Sequence, residues 1–303
     1  MHLGLAVVRF TWPGGVAAIR PILARIIYEA EQAGVYSLWF QDHFLQNPLI
    51  GDPHEPLPES YTLLGFAAAH SERLRLGTLV TGVTYRHPGV LIKQVTTVDV
   101  LSGGRAYLGI GAAWYAEEHD AFGIPFPPLR ERFERLEETL QIADTMWRSS
   151  GAPHQGRHYQ LRGPVNMPPP LSTPRPRILI GGGGERRTLS LVARYADACN
   201  LFEKFGTDQL RHKLEVLREH CERVGRPYSE IEKTSYGVLA LSRRGGDGTC
   251  TPAQAVERLA ALSELGFEHA IVSLPHPEDP AVWELVAEVA EGLAQVTPVV
   301  AAH

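Results

Sequence analysis

Four consecutive glycines, Gly181, Gly182, Gly183 and Gly184, follow the short apolar run Arg177-Ile178-Leu179-Ile180 and precede a segment of helical period. Strand, tight turn and helix in that order aim helix N–H groups and the positive end of the helix dipole above the turn, where bare backbone lets an anion come close. Four glycines in a row favour such a phosphate seat over an ordinary βα turn, and Thr188 can add a hydroxyl. Arginines stand at 186 and 187, where a dinucleotide fingerprint needs glycine, and no Gly-Lys-Ser/Thr follows, so neither the Rossmann nor the P-loop pattern is met. The second chemical signal is Asp42-His43, directly after the apolar run 35–40. A polar pair at a strand end packs poorly but can face a ligand, and a histidine there could pass a proton near neutral pH. The alternative is a pair hydrogen-bonded to the next loop; its position favours function.

Trp114 and Tyr115 could form a wall for a flat ring or cap the core, and the sequence does not choose. For Glu117, Glu118 and His119, an exposed acidic helix start and a site look alike. Metal-dependent hydrolysis lacks support: the thirteen histidines are scattered with no His-x-His or His-Glu-x-x-His pair, so no metal site is expected. His154 and His158 lie four apart, but in a segment too rich in proline and glycine to be trusted as a helix. No Gly-x-Ser-x-Gly elbow is present for acyl transfer. What remains, an anion seat, aromatics and one histidine, suits a phosphate-bearing planar cofactor that carries the hard chemistry itself.

The elements that must position these residues follow from periodicity. Apolar runs at 3–8, 35–40, 74–80, 105–110, 177–180, 198–202, 234–241 and 270–274 read as eight strands. Between them lie helical patterns: 20–33, one capped by Ser60, 89–101, a long one from Leu129, about 185–195, 207–224, one opened by the capping box Thr251-Pro252-Ala253-Gln254, and one from Asp279-Pro280. Residues 150–176 hold seven prolines and no period, and read as an insertion between helix 4 and strand 5. Strict βα alternation over 303 residues, with no second composition regime, predicts one (β/α)8 TIM-barrel domain spanning 1–303, with a doubly wound sheet as the runner-up. A barrel would gather the strand ends at Asp42 and His43, Thr81 and Gly82, residues 111–114, 181–184 and His276 around one mouth.

At 44% hydrophobic and 21% charged residues the composition is that of a soluble globular protein with no membrane span. The net charge of −5 argues against a nucleic-acid partner. Three widely spaced cysteines and an N-terminus without a signal-peptide pattern indicate a reducing cytoplasm.

Taken together, Thr84-Tyr85-Arg86-His87-Pro88, Leu101-Ser102-Gly103-Gly104-Arg105, Leu108-Gly109-Ile110-Gly111, Glu118-His119 with Gly123, and residues 180–200 resemble the bacterial luciferase-like flavin monooxygenase superfamily. Ala193-Arg194-Tyr195-Ala196-Asp197, and Thr251-Pro252 with Leu265-Gly266-Phe267, bring the likeness closer to its coenzyme F420-dependent oxidoreductases. The resemblance runs in order over nearly the whole chain. It implies a TIM barrel, usually a homodimer, that holds a flavin or deazaflavin and acts on a small molecule. His43 would then be the proton donor or acceptor beside the deazaflavin. Leu79-Val80-Thr81-Gly82 would form the third-strand bulge, often with a non-prolyl cis peptide, that supports the ring. Gly111, Ala112 and Trp114 would line the cofactor, with Asp42 beside it, and Gly181, Gly182, Gly183, Gly184 and Thr188 would hold its phosphate tail.

Deazaflavin sugar-phosphate dehydrogenases of the superfamily carry a catalytic glutamate where this chain has Trp114, which argues against that activity. The arginine of bacterial luciferase near Ala112 is absent, which favours coenzyme F420 over FMN. The expected activity is hydride transfer between F420 and a small organic substrate. An FMN-dependent monooxygenase and a cofactor-binding protein without turnover are the alternatives.

Overall fold

A computed structural model of the chain describes residues 1–148 and 150–297. Along the chain run β1 (His2–Val7), α1 (Ile19–Gln32), β2 (Ser37–Phe40), α2 (Ser60–His70), β3 (Arg75–Thr78), β4 (Thr81–Gly82), α3 (Pro88–Leu101), β5 (Tyr107–Gly111), α4 (Ala116–Ala121) and α5 (Leu129–Arg148). The pair β6 (His154–Gln155) and β7 (Gln160–Leu161) follows. Then come β8 (Arg177–Gly181), α6 (Thr188–Tyr195), β9 (Ala198–Phe202), α7 (Thr207–Val224), β10 (Glu232–Val238), α8 (Pro252–Glu264), β11 (His269–Ser273) and α9 (Val282–Ala294). All eight apolar runs read as strands are strands. The two-residue β4 and the pair β6–β7 were not foreseen, and the helix start read as one of two possibilities at Glu117 forms as α4.

The chain divides into two compact units. One comprises Met1–Trp39, Arg73–Arg75 and the described part of Leu179–His303. Its strands are parallel: β1 pairs with β11, β11 with β10, β10 with β9, and β9 with β8. Near-continuous apolar strands flanked by amphipathic helices are what a parallel sheet covered on its faces requires. Leu201 of β9 points to the helix side, where it is buried with Leu210, Leu214 and Phe267. Helix α7 stops at Gly225, whose φ of 69° supplies the left-handed cap. The capping box at α8 is formed: Thr251 Oγ1 accepts from the Gln254 amide at 3.3 Å, and Gln254 Oε1 accepts from the Thr251 amide at 2.9 Å.

The other unit comprises Phe40–Glu72 and Leu76–Ile178. Strand β4 pairs in parallel with β5, Thr81 opposite Ile110 and Gly82 opposite Gly111. Gly109 is obligatory there, because a Cβ at that position would fall 1.7 Å from the Thr78 carbonyl oxygen. Helix α2 packs on α3, and α3 on α5. Ser60, expected to cap α2, is its first residue; Glu59 takes the cap and accepts from the amides of Tyr61 and Thr62 at 3.1 and 2.7 Å.

Residues 150–176 are less irregular than their prolines suggested. The antiparallel pair β6–β7 closes against α5, where Glu138 accepts from the amides of His158 and Tyr159 at 2.9 and 2.7 Å. Gly156 permits this approach, since a Cβ there would overlap the Glu138 carboxylate.

Candidate functional site

After β2 the backbone passes through Gln41 into Asp42 and His43, both buried. The two oxygens of Asp42 are fully engaged: Arg86 Nη1 lies 2.5 Å from Oδ2, while Arg86 Nη2 and Ser60 Oγ donate to Oδ1 at 2.9 and 2.6 Å. Arg86 also donates to Glu59 and lies 4.6 Å above the Tyr61 ring. Burial works against the charge of Arg86, but Asp42 beside it and the bonds to both carboxylates prevail and raise its pKa. Asp42, expected at the cofactor, thus holds Arg86 and Ser60 in place.

His43 is 8% exposed, and its Nδ1 lies 2.9 Å from Oε2 of Glu118, which is fully buried. The other oxygen of Glu118 accepts from the amides of Phe44 and Leu45, at 2.5 and 2.8 Å, and the hydroxyl of Tyr85 donates to Oε2. Burial pushes the Glu118 carboxyl upward, but the bonds from His43 and Tyr85, the neighbouring imidazole and the Leu45 amide outweigh it and hold the group below the usual carboxylate range. Tyr85 is pushed up, first by burial and then by Glu118. An ionised carboxylate only accepts, so Nδ1 of His43 carries the proton. The remaining nitrogen, Nε2, bonds to nothing among the described residues.

Glu118 sits on α4 beside His119, also fully buried, whose Nδ1–H donates to the Tyr115 carbonyl at 2.6 Å and whose Nε2 accepts from Thr84 at 2.6 Å. Glu117 points outward. Of the ambiguous trio, two residues therefore belong to the site, and Glu118 is the partner that sequence reasoning missed. The available signal was its place shortly after β5.

Trp114 is 49% exposed; it stacks on Tyr115 at 5.2 Å and presents itself edge-on to His43 at 5.7 Å. It follows Ala113, whose φ of 58° is rare for a residue other than glycine. Arg132 of α5 donates through Nη1 to the carbonyls of Ala112, at 3.1 Å, and Ala113, and through Nε to that of Pro127 at 3.1 Å. Burial lowers the pKa of this guanidinium, which lies 4.1 Å from the Phe126 ring.

The Leu79–Val80 peptide is cis, and Val80 is half-buried. Thr81 turns its hydroxyl to Tyr61 and Thr78, each at 2.9 Å. At Gly82 a Cβ would meet the Tyr85 ring at 2.7 Å and the Ala113 methyl at 3.1 Å. Gly111 is buried, and its carbonyl accepts from the Val83 amide at 3.0 Å.

In the other unit, Gly181 ends β8, and Gly182 takes a φ of 111°. Helix α6 starts only at Thr188, so the dipole does not begin directly at the glycines as expected. Thr188 stays close to the turn: a Cβ on Gly184 would meet its hydroxyl at 2.8 Å. The amides of Gly183 and Gly184 donate to no group among the described residues. Lys213 donates to the Gly183 carbonyl at 2.9 Å and to Glu185 at 3.3 Å, bringing a cation to the turn.

This unit also contains a serine, histidine and carboxylate in line. Ser37 Oγ lies 2.8 Å from His269 Nε2, and His269 Nδ1 lies 3.0 Å from Glu232. Ser37 and His269 have no exposed surface, and the backbone of Gly4 presses on the bond between them. The trio is closed core. No group of three or more His, Cys, Asp or Glu among the described residues is arranged to hold a metal. No helix among them is long and apolar enough to cross a membrane.

A family profile described as luciferase-like monooxygenase matches residues 3–245. The F420-dependent glucose-6-phosphate dehydrogenase of Kineococcus radiotolerans is 32% identical over 78% of this chain and 66% of its own length. The protein of the same name from Amycolatopsis mediterranei is 26% identical over 91% of this chain and 84% of its own. Coenzyme F420-dependent tetrahydromethanopterin reductase from Methanopyrus kandleri superposes with a TM-score of 0.77 at 15% identity, over 98% of this chain and 99% of that one. With this likeness the fold class is the (β/α)8 barrel.

Proposed function

The chain belongs to the luciferase-like monooxygenase family, and from that premise we propose that it is a coenzyme F420-dependent oxidoreductase acting on a small organic molecule. Its relatives named F420-dependent support the cofactor class. When bound, the deazaflavin supplies or takes up a hydride. Taken each by itself, the two seats suit parts of such a cofactor: Gly82 offers bare backbone where a Cβ would strike Tyr85, and in the other unit two glycine amides, without a partner among the described residues, stand beside Lys213. Val80, Thr81, Gly82, Gly111 and Ala112 would hold the ring, and Trp114, expected to line the cofactor, would stand beside it facing the substrate. Gly181, Gly182, Gly183, Gly184 and Thr188 would hold the tail, and Asp42 would lie beside the cofactor.

The observation that carries the reading is the His43–Glu118 bond. With Nδ1–H held by a buried carboxylate, proton exchange is left to Nε2, the nitrogen without a protein partner. Glu118 and Tyr85 position the ring, while His43 gives or takes the proton that accompanies the hydride. Most of the rate advantage then comes from holding donor and acceptor together away from water.

Titrating the protein with F420 and with FMN tests the cofactor; F420 is expected to bind about tenfold tighter or better, a gap of roughly 1.4 kcal/mol. Tighter FMN binding with steady oxygen uptake would move the protein to the monooxygenases. Firm F420 binding without turnover on a panel of enones and nitro compounds would make it a binding protein.

The whole chain, 1–303, is proposed to serve as one domain, although residues 298–303 lie outside the described residues. Three free thiols favour the cytoplasm, and burial pushes that of Cys199 up to about 12. A homodimer is supported by the outer faces of α2 and α3. Helix α2 reads Ser-Tyr-Thr-Leu-Leu-Gly-Phe-Ala-Ala-Ala-His, apolar nearly all round, a pattern that calls for cover on every side. Beside it opens a cleft of about 640 Å³ lined in part by Thr62, Gly65, Val90, Leu101 and Val165. The last three are 55%, 63% and 68% exposed.

A further inference from the structure

The geometry points to Trp114 as the residue that selects the substrate, and to an uncharged acceptor with a flat conjugated ring as the class it selects, in preference to a phosphorylated or carboxylated one. The inference rests on the proposed F420-dependent chemistry and adds the substrate class.

Its first support is the way Trp114 is displayed. A large aromatic side chain left half exposed forgoes burial, yet here the backbone is arranged to hold it out. Ala113 takes a left-handed conformation that L side chains rarely adopt, and Arg132 fixes the carbonyls of Ala112 and Ala113 on either side of that peptide. Tyr115, buried, backs the indole at 5.2 Å with an interplanar angle of 16°. The indole and the His43 ring meet at 76° with their centroids 5.7 Å apart, and Nε2 of that histidine is the free proton-exchange position. A flat ring laid along Trp114 is therefore placed beside His43. Aromatic surface continues past His43 through Tyr85 and Phe44, 5.0 Å apart, to Phe122, which is exposed.

The second support is charge. Arg86 and Arg132, the guanidinium groups described at this site within its own unit, are both committed. Arg86 is bound bidentately by Asp42 and also by Glu59, and Arg132 bonds to three carbonyls. Neither of these guanidinium groups is free to receive an anionic substituent beside His43, which would stand one imidazole away from the Glu118 carboxylate. A neutral conjugated carbonyl or nitro compound needs no counter-charge. Its reduction balances as one hydride from the reduced deazaflavin and one proton through His43, the cofactor being oxidised by two electrons.

The test uses the intact protein and the variants Trp114→Ala and Trp114→Phe, with 2-methyl-1,4-naphthoquinone and glucose 6-phosphate as probes. Three readings are taken: F420 affinity from the cofactor's own fluorescence, steady-state kcat and KM, and quenching of protein tryptophan fluorescence by the quinone without cofactor. Trp114→Ala is expected to raise KM for the quinone and weaken the cofactor-free complex, each by about tenfold, while F420 affinity stays within about threefold. Trp114→Phe should keep most of the affinity, and glucose 6-phosphate should be a substrate at least about a hundredfold poorer in kcat/KM. An unchanged KM in Trp114→Ala, a parallel loss of F420 affinity, or efficient turnover of glucose 6-phosphate would overturn the assignment. Failure of the unaltered protein to bind F420 would sink the cofactor proposal instead, and the quenching reading would still decide the role of Trp114.

Discussion

Glu118→Gln separates positioning from packing, because the amide keeps the size of the carboxylate and changes its hydrogen bonding. Glu118 accepts four hydrogen bonds: from His43 Nδ1, the Tyr85 hydroxyl and the amides of Phe44 and Leu45. The two backbone donors can be kept only if the glutamine oxygen faces them, so its NH2 must face His43 and Tyr85. His43 Nδ1 then has to accept, and the proton moves to Nε2, the wrong nitrogen for exchange in the neutral ring. Losing a correctly placed general acid or base costs about 10²- to 10⁴-fold in rate. Since cofactor and substrate contacts stay, kcat should fall by that factor and cofactor affinity should barely move. The stability cost follows from exchanging charge-assisted for neutral bonds, roughly 1 kcal/mol each for four bonds, partly offset because a buried charge is removed; a net loss of about 2 kcal/mol is expected. The pH dependence carries the sign. A carboxyl held below its usual range contributes stability that is present above the unfolded pKa and is lost as pH falls through the lowered folded value. The gap between wild type and Glu118→Gln in thermal unfolding should therefore be full at pH 7, start to narrow only below about pH 4.5, and keep narrowing as pH falls through the lowered folded value. A kcat within twofold of wild type, or a gap that already closes above about pH 5 or does not narrow at all on further acidification, would refute the reasoning.

Three further outcomes are expected. Arg86→Met leaves Asp42 buried without its cation and should cost about 3–5 kcal/mol in urea unfolding. Gly182→Ala forces an L side chain onto a φ of 111°; at about 1–3 kcal/mol of strain, F420 affinity should drop roughly tenfold or more in a fluorescence titration while kcat holds. Val90→Glu combined with Leu101→Glu places charge on the exposed face of α3, and light scattering should show a shift from dimer to monomer without loss of helix signal.

The strands were readable because each is a short apolar run ended by glycine, proline or polar residues. Helix α7 was readable from Thr207 to about Val224, where Gly225 stops it, and α8 because its capping box is local. The site was less legible because its bonds join distant positions. The partners His43 and Glu118 are 75 residues apart, and nothing around Glu118 marks it as buried while its neighbour Glu117 is exposed. The same reason hides Ser60, a plausible cap by local rules whose hydroxyl instead reaches Asp42. Arg132 sits among the charged positions of α5, and only three-dimensional placement turns it from a solvated cation into the clamp on Ala112 and Ala113.

The closed serine–imidazole–carboxylate alignment carries a wider lesson. Its spacings satisfy a geometric template for acyl transfer, and the tautomer is right: His269 donates to Glu232 and accepts from Ser37, which in turn accepts from the Trp39 indole at 2.7 Å. What denies it chemistry is a hydrogen atom's worth of space. A methyl group on Gly4 would already sit 2.5 Å from the serine oxygen, so no ester or amide carbonyl can approach along that line. Hydrolase function is decided by the room in front of the nucleophile, and here a single glycine has filled it with main chain.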